Sequence, residues 1–329
     1  MLIVGDIGGT KTALAVYDPE IGARQPVKKK IYPSGKYASL EAMLKEFLKD
    51  VDEQITQACF GVAGPVLDDQ ARVTNLSWVI QKDSLSQALG GVPVWLLNDL
   101  GSIANGIPFL EDSDLETIHA GESVEHGAIA VIAPGTGLGE AFMTWNGTRY
   151  QAHPSEGGHV DFAPSGPTQL ELLNFMAPRF GHVSYERVCS GTGLPNLYDF
   201  LLYSGKYEEP DWLREQIDQT DDPNPVIVKA ALEGRAEIAE QTLALFVSIL
   251  GGEAGNLTLK ILATGGVYLG GGIPPRILPQ LKAPAFMETF VAKGRFSEIL
   301  EKVPVHVILH PEAALFGAAC YAIEMEHNG

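Results

Sequence analysis

The sequence predicts an α/β protein of two domains, and three observations carry that expectation. A strand–glycine turn–strand unit occurs twice: Leu2-Ile3-Val4, Gly8-Gly9 and residues 13–17 at the start, then residues 128–132, Gly135-Thr136-Gly137-Leu138-Gly139 and residues 141–144 in the middle. Apolar runs of strand length alternate with segments of helical periodicity. The chain has 329 residues, 45% hydrophobic, 19% charged and 36 of them glycine, which suits two cores and excludes a disordered or coiled-coil protein.

The elements follow in order. After the first hairpin, Ser39 is placed to cap a helix in which Leu40, Met43, Leu44, Phe47 and Leu48 recur at helical spacing. Buried-type strands are expected at 58–62 and 92–97. The second runs into Asn98-Asp99, two polar residues at a strand's carboxyl end, where open α/β sheets bind ligands. After the second hairpin come a loop at 218–225, a long helix at about 236–260, a strand at 261–263 and a glycine-rich stretch. A strand at 303–309 and a helix begun by Pro311 close the chain.

Charge and cysteine usage narrow the function. The 23 basic against 41 acidic residues give −18, a surface that repels phosphate backbones and anionic lipids, so neither nucleic acid nor a membrane is expected as partner. Lys28-Lys29-Lys30 reads as a solvated face. Cys59, Cys189 and Cys320 are scattered singly, which rules out a disulfide framework or a four-thiolate zinc site. The start lacks a basic leader and the apolar stretch 242–252 is short for a bilayer, so a cytoplasmic setting is expected.

The first glycine turn, Gly5-Asp6-Ile7-Gly8-Gly9-Thr10-Lys11-Thr12, is not a P-loop. Thr10 stands where that motif needs glycine, and a strand rather than a helix follows. The second, Gly135–Gly139 in sequence, lacks dinucleotide spacing. Each can present successive backbone N–H groups beside a threonine hydroxyl, an anion cradle, and two such turns favour a triphosphate over an ordinary hairpin. Glu156-Gly157-Gly158-His159 has the spacing of a dimetal site but not its helix, because adjacent glycines disfavour one. A carboxylate and an imidazole on a glycine-shaped loop suit a polyhydroxyl ligand, with Glu186 and Asp161 as further candidates. Asp99 reads equally as a helix N-cap and as a general base.

These residues together resemble the bacterial ATP-dependent glucokinases of the hexokinase/actin-like ATPase superfamily. The resemblance rests on Gly5–Thr10, Asn98-Asp99, Gly135–Gly139, the block Glu156-Gly157-Gly158-His159-Val160-Asp161-Phe162-Ala163-Pro164, Glu186-Arg187-Val188 with Ser190-Gly191, and Gly270-Gly271-Gly272-Ile273. It implies the actin-like (ribonuclease H-like) sugar kinase fold, with two α/β domains around a cleft. The small domain would hold 1–109 and 311–329, the large one 110–310. It implies Asp99 as catalytic base and Asn98, Glu156, His159 and Glu186 as glucose ligands. Gly5, Asp6, Ile7, Gly8, Gly9 and Thr10 match the first phosphate loop, and Gly135, Thr136 and Gly137 the second. The stretch Gly265 to Gly272, with Gly265, Gly266 and Gly270, matches the adenosine loop.

The implied reaction moves the ATP γ-phosphoryl group to the glucose 6-hydroxyl, with Asp6 as candidate for holding the water shell of Mg²⁺ and a homodimer as the assembly. Lys11 stands where some members have Asn, and Ser155 where Gly is common. Kinases of the repressor/kinase group share Glu-x-Gly-His but add a cysteine-rich zinc motif; Cys189 stands alone there, so no zinc is expected. The alternatives are a kinase of a related hexose, a non-catalytic sugar sensor of the same fold, and a non-kinase actin-like ATPase, which has no use for the Glu156–His159 pair.

Overall fold

The computed structural model describes residues 1–73 and 76–327, except the His327 side chain. The chain forms two compact units, one of Met1–Asp114, Thr148–Pro154 and His310–Gly329, the other of Leu115–Gly147 and Ser155–Leu309. The expected partition leaves residues 110–114, 148–154 and His310 with the second.

In the first unit, β1 (Leu2–Ile7) and β2 (Lys11–Tyr17) form an antiparallel hairpin, and β3 (Lys28–Pro33) extends it. β4 (Gln57–Val62) adds in parallel to β1. The short β5 (Val66–Leu67), β6 (Gln70–Arg72) and β7 (Val79–Gln81) form a separate antiparallel sheet. β8 (Val94–Asn98) then adds in parallel to β4, giving the order β3-β2-β1-β4-β8. The sheet is covered on both faces, which is why β4 is buried throughout and reads as an apolar run from Ala58 on. Side chains alternate: Ile3 and Ile7 pack toward Met43, Leu44 and Phe47 of the helix Leu40–Phe47, whereas Leu2 and Val4 meet Leu315, Ala318 and Ala322 of the helix Ala313–His327. Ser39 caps the first of these helices as expected, its Oγ accepting from Ala42 N at 3.3 Å. The three lysines lie on edge strand β3 and pair with Asp50, Glu312 and Glu46, a charged edge that resists pairing with another chain.

The second unit repeats the theme. After β9 (Leu115–His119), β10 (Ile129–Pro134) and β11 (Leu138–Trp145) form an antiparallel hairpin. The chain continues through β12 (Tyr150–Ser155), all of which except Ser155 counts with the first unit, and a largely helical stretch. β13 (Gly266–Leu269) then adds in parallel to β10, β14 (Val305–Ile308) in parallel to β13, and β9 closes against β14 in antiparallel. The core is built on the helix Glu237–Ile261, whose Gly251 and Gly255 let the helix Pro284–Val291 approach closely; side chains there would strike the Phe286 and Phe290 carbonyls.

Several local expectations are corrected. The long helix has 25 residues and by length and composition matches a membrane span, but 72% of its apolar window is buried inside the protein. It also carries a fully buried Glu253 bonded to Lys260 and Asn256, as suits a core helix. The expected strand 261–263 is instead the end of that helix and a left-handed turn at Leu262, φ 50°. The strand comes three residues later. The loop 218–225 gives way to a helix at Asn224–Leu232, entered through Pro223 and Pro225. The final helix begins at Ala313, two residues after Pro311, because the Glu312 carbonyl accepts the first helical bond from Phe316 N at 2.9 Å. All three cysteines are buried and free, with their thiols pushed up by burial, Cys320 to about 12.

Candidate active site

Chemistry-bearing residues of the first unit gather at one sheet edge, because β1, β4 and β8 are parallel and end together. The first glycine turn follows β1. Gly8 N donates to Lys11 O at 3.0 Å, and a Cβ on Gly8 would stand 2.9 Å from that carbonyl, so the turn admits only glycine. Ser34, fully buried, braces the turn from behind: its Oγ donates to the Gly8 carbonyl at 2.7 Å and its N–H to Thr10 O at 3.0 Å. Beside it β4 runs into Ala63-Gly64-Pro65, with Ala63 N bonded to Ile7 O at 2.9 Å.

β8 delivers Asn98 and Asp99 to the same edge. Asn98 is the N-cap of the helix Asp99–Gly106, its Oδ1 accepting from Gly101 N at 2.6 Å. The cap is therefore Asn98 and not Asp99, whose Oδ1 accepts from Leu100 N at 2.9 Å. The helix is seated by two glycine contacts: a side chain on Gly61 of β4 would strike Ser102 Oγ, and one on Gly317 would strike the Ser102 carbonyl. Asp6, near the end of β1, has its carboxyl pushed up to about 6, first by burial and then by the charges of Asp99 and Glu312. Lys29, paired with Glu312 at 2.7 Å, offsets part of that repulsion.

The second unit builds its own cluster around the turn between β10 and β11. Gly135 N donates to Gly137 O at 2.9 Å, and the turn is tied to the next segment by Gly191 N to Gly135 O (2.8 Å) and Thr192 N to Thr136 O (3.2 Å). Glu156, Gly157, Gly158 and His159 form a single tight 3-10 turn; one turn tolerates two glycines where a full helix would not. Gly157 and Gly158 are buried against β11, while Glu156 and His159 are exposed. Residues 158–162 run beside 183–186, through Phe162 N to Val183 O and Glu186 N to Gly158 O (2.9 and 2.8 Å). That pairing sets Glu186 Oε1 3.9 Å from His159 Nδ1 and Oε2 3.0 Å from Leu138 N. Two carboxylates and an imidazole on rigid backbone suit an array of hydroxyls. Asp161 turns away to His182, 3.0 Å off, on the surface.

The stretch 265–272 is not one loop. Gly265 and Gly266 lie at the start of β13, with Gly265 N bonded to Ala128 O; Gly270 lies at its far end, bonded to Ile132 O (both 2.9 Å). Only Gly270 and its neighbour Gly271, which abuts Pro134, share the strand end that carries the second glycine turn.

With this geometry in place, the comparisons are direct. The family model Glucokinase matches residues 3–325. The chain is 39% identical to glucokinase from Trichormus variabilis over 340 aligned residues, covering 99% of each, and 37% identical to that of Synechocystis sp., covering 98% of each. The chain belongs to the glucokinase family. Among solved structures it resembles glucokinase from an Antarctic psychrotroph, with TM-score 0.84 and 31% identity over 100% of this chain and 99% of that one. A glucokinase of the ROK family from Streptomyces griseus, in complex with glucose and AMPPNP, shares the fold at TM-score 0.64 and 20% identity, over 100% of this chain and 99% of that one. The expected sugar kinase fold is thus the fold found.

The sequence reading passed over residues that support the candidate site. Ser34 lies inside Pro33-Ser34-Gly35, which reads as an ordinary turn. Ala63-Gly64-Pro65 carried a signal, a glycine–proline pair directly after an apolar strand. Glu140, buried in β11, also carried one: a lone acid in an apolar strand.

Proposed function

We propose that the chain transfers the γ-phosphoryl group of ATP to the 6-hydroxyl of glucose, giving glucose 6-phosphate and ADP. The observation that carries this reading is the division of labour between Asn98 and Asp99: Asn98 fills the helix cap, while Asp99, one carboxylate oxygen held by Leu100 N at 2.9 Å, stands at the end of three parallel strands. A carboxylate so held can accept the hydroxyl proton as phosphoryl transfer proceeds.

Glu156, His159 and Glu186 bind sugar hydroxyls, with Glu186 oriented by Leu138 N and by its neighbour His159. The Asn98 cap uses Oδ1, which leaves the NH₂ as the donor that residue offers to the sugar. Backbone N–H groups of Gly8, Gly9 and Thr10, and of Gly135, Thr136 and Gly137, meet phosphate oxygens where charge develops. In the adenosine stretch the nucleotide would meet Gly270 and Gly271, which share a strand end with the second glycine turn, while Gly265 and Gly266 begin the same strand.

Among the described residues no three acidic, histidine or cysteine side chains form a metal cage. Mg²⁺ that travels with a nucleotide needs only one or two carboxylates, and the crowded Asp6 carboxyl meets that requirement. When bound, Mg²⁺ neutralises charge on the β- and γ-phosphates. A cytoplasmic, homodimeric enzyme completes the reading.

The test is a coupled assay of the purified protein across a panel of hexoses with ATP and polyphosphate as donors. ATP-dependent formation of glucose 6-phosphate, with glucose preferred, supports the reading. Glucose binding without turnover would instead assign the chain as a sugar sensor.

A further inference from the structure

The function just proposed makes no use of the most unusual buried group in the second unit. Glu140 is 1% exposed on β11, facing inward opposite Ile132 in the strand ladder. Its Oε1 is buried without a hydrogen-bond partner, and no salt bridge among the described residues reaches it. Lys260 Nζ, the nearest source of compensation, is engaged by Glu253 at 3.0 Å. An orphaned buried acceptor is costly, and an apolar side chain here would avoid that cost, so the reason for the carboxyl lies in what it touches.

It touches the sugar turn. A Cβ on Gly157 would collide with Glu140 Oε2, so the carboxyl lies directly beneath the second residue of Glu156-Gly157-Gly158-His159. Leu138, two residues earlier on the same side of β11, supports the rest: its carbonyl abuts Gly158 and its N–H holds Glu186. The start of β11 therefore contacts both the turn that carries Glu156 and His159 and the side chain of Glu186.

We propose that Glu140 is a positioning residue for glucose, its buried carboxyl setting the height of the turn that presents Glu156 and His159. This rests on the assignment of that turn to glucose. The titratable and charged groups around the carboxyl are Glu253 and Lys260 from the long helix, and Cys189 and Tyr185 from the segment after the turn, with Lys293 behind Glu253. Burial and the Glu253 charge hold Glu140 protonated up to about pH 7. Above that, an uncompensated charge under Gly157 draws in water or lifts the turn.

The experiment compares wild type, Glu140→Gln and Glu140→Ala by glucose KM, ATP KM and kcat from pH 6 to 8.5, with glucose binding followed by calorimetry. Glu140→Ala is expected to raise the glucose KM about tenfold with kcat and ATP KM within about twofold of wild type. Glu140→Gln, which keeps the shape without the charge, is expected to restore the low KM and to abolish its rise above pH 7. Overlapping pH profiles for wild type and Glu140→Gln overturn the proposal. So does an unchanged glucose KM in Glu140→Ala; if that variant does not fold, the glutamine profile decides alone. A wild type that binds no glucose at all sinks the functional reading and this inference with it, whereas normal binding indifferent to Glu140 sinks only this inference.

Discussion

Leu138 N donates to Glu186 Oε2 at 3.0 Å, so one oxygen of a candidate sugar ligand hangs from the end of the second glycine turn. Gly137 is what makes room for it, since a Cβ there would strike the same oxygen. Gly137→Ala is expected to displace Glu186 and raise the glucose KM roughly tenfold, the worth of a weakened charge-assisted hydrogen bond. Gly135→Ala, two residues away and with open space at its Cβ, is the control and should leave the glucose KM near wild type. Equal effects of the two substitutions would mean that the turn, not Glu186, is what the methyl disturbs.

Asp99→Asn should retain glucose affinity and lower kcat by roughly 10²–10⁴-fold, the range for a positioned base. Because Asn98 supplies the cap, the variant should melt close to wild type. Asn98→Ala should show the converse on stability, losing about 1 kcal/mol with the cap. Thermal melts and steady-state kinetics on the pair separate the two roles.

Glu156→Ala is expected to raise the glucose Kd by roughly ten- to a hundredfold, the cost of removing a hydrogen bond to a charged group of about 1.5–3 kcal/mol. His159→Ala should cost less, since its imidazole is exposed and 3.9 Å from Glu186. Calorimetry with glucose and, separately, an ATP analogue reads both. Lost nucleotide affinity with intact glucose binding would move this turn to the phosphate side.

Glu140 also makes stability depend on pH. Its folded value of about 7 lies above the ordinary 4.5, so the folded state holds this proton more tightly than the unfolded chain does. The resulting stability is fully present below about pH 4.5 and is lost as pH rises through 7, a change of order 3 kcal/mol. Glu140→Gln should therefore gain on wild type in denaturant midpoint between pH 5 and pH 8. A constant offset across that range would show that Glu140 does not titrate there.

The sequence exposed the candidate ligands of this site better than the residues that support them. Glycine turns after apolar strands, Asn98-Asp99 at a strand end, and Glu156-x-x-His159 stand out because polar or flexible residues interrupt apolar patterns, and function tolerates such interruptions. The strand at 266–269 was misplaced because the helix before it stops at Leu262 in a left-handed turn, a job usually done by glycine, so nothing local marks its end. The bracing by Ser34 and the carboxyl under Gly157 depend on contacts 26 and 17 residues apart in number, which no local pattern encodes. That Asn98, and not Asp99, is the N-cap became legible only once the helix start was seen.

The three buried thiols carry a practical consequence. Cys59 and Cys320 lie in the first unit and Cys189 in the second, each buried and each with its thiol pushed up by burial. Alkylating reagents and mild oxidants should pass over the native protein and modify a cysteine only when the unit around it opens. Labelling under native conditions, resolved by residue, then becomes a stopwatch for each half of the chain, and glucose should slow the Cys189 hand selectively if its site belongs to the second unit.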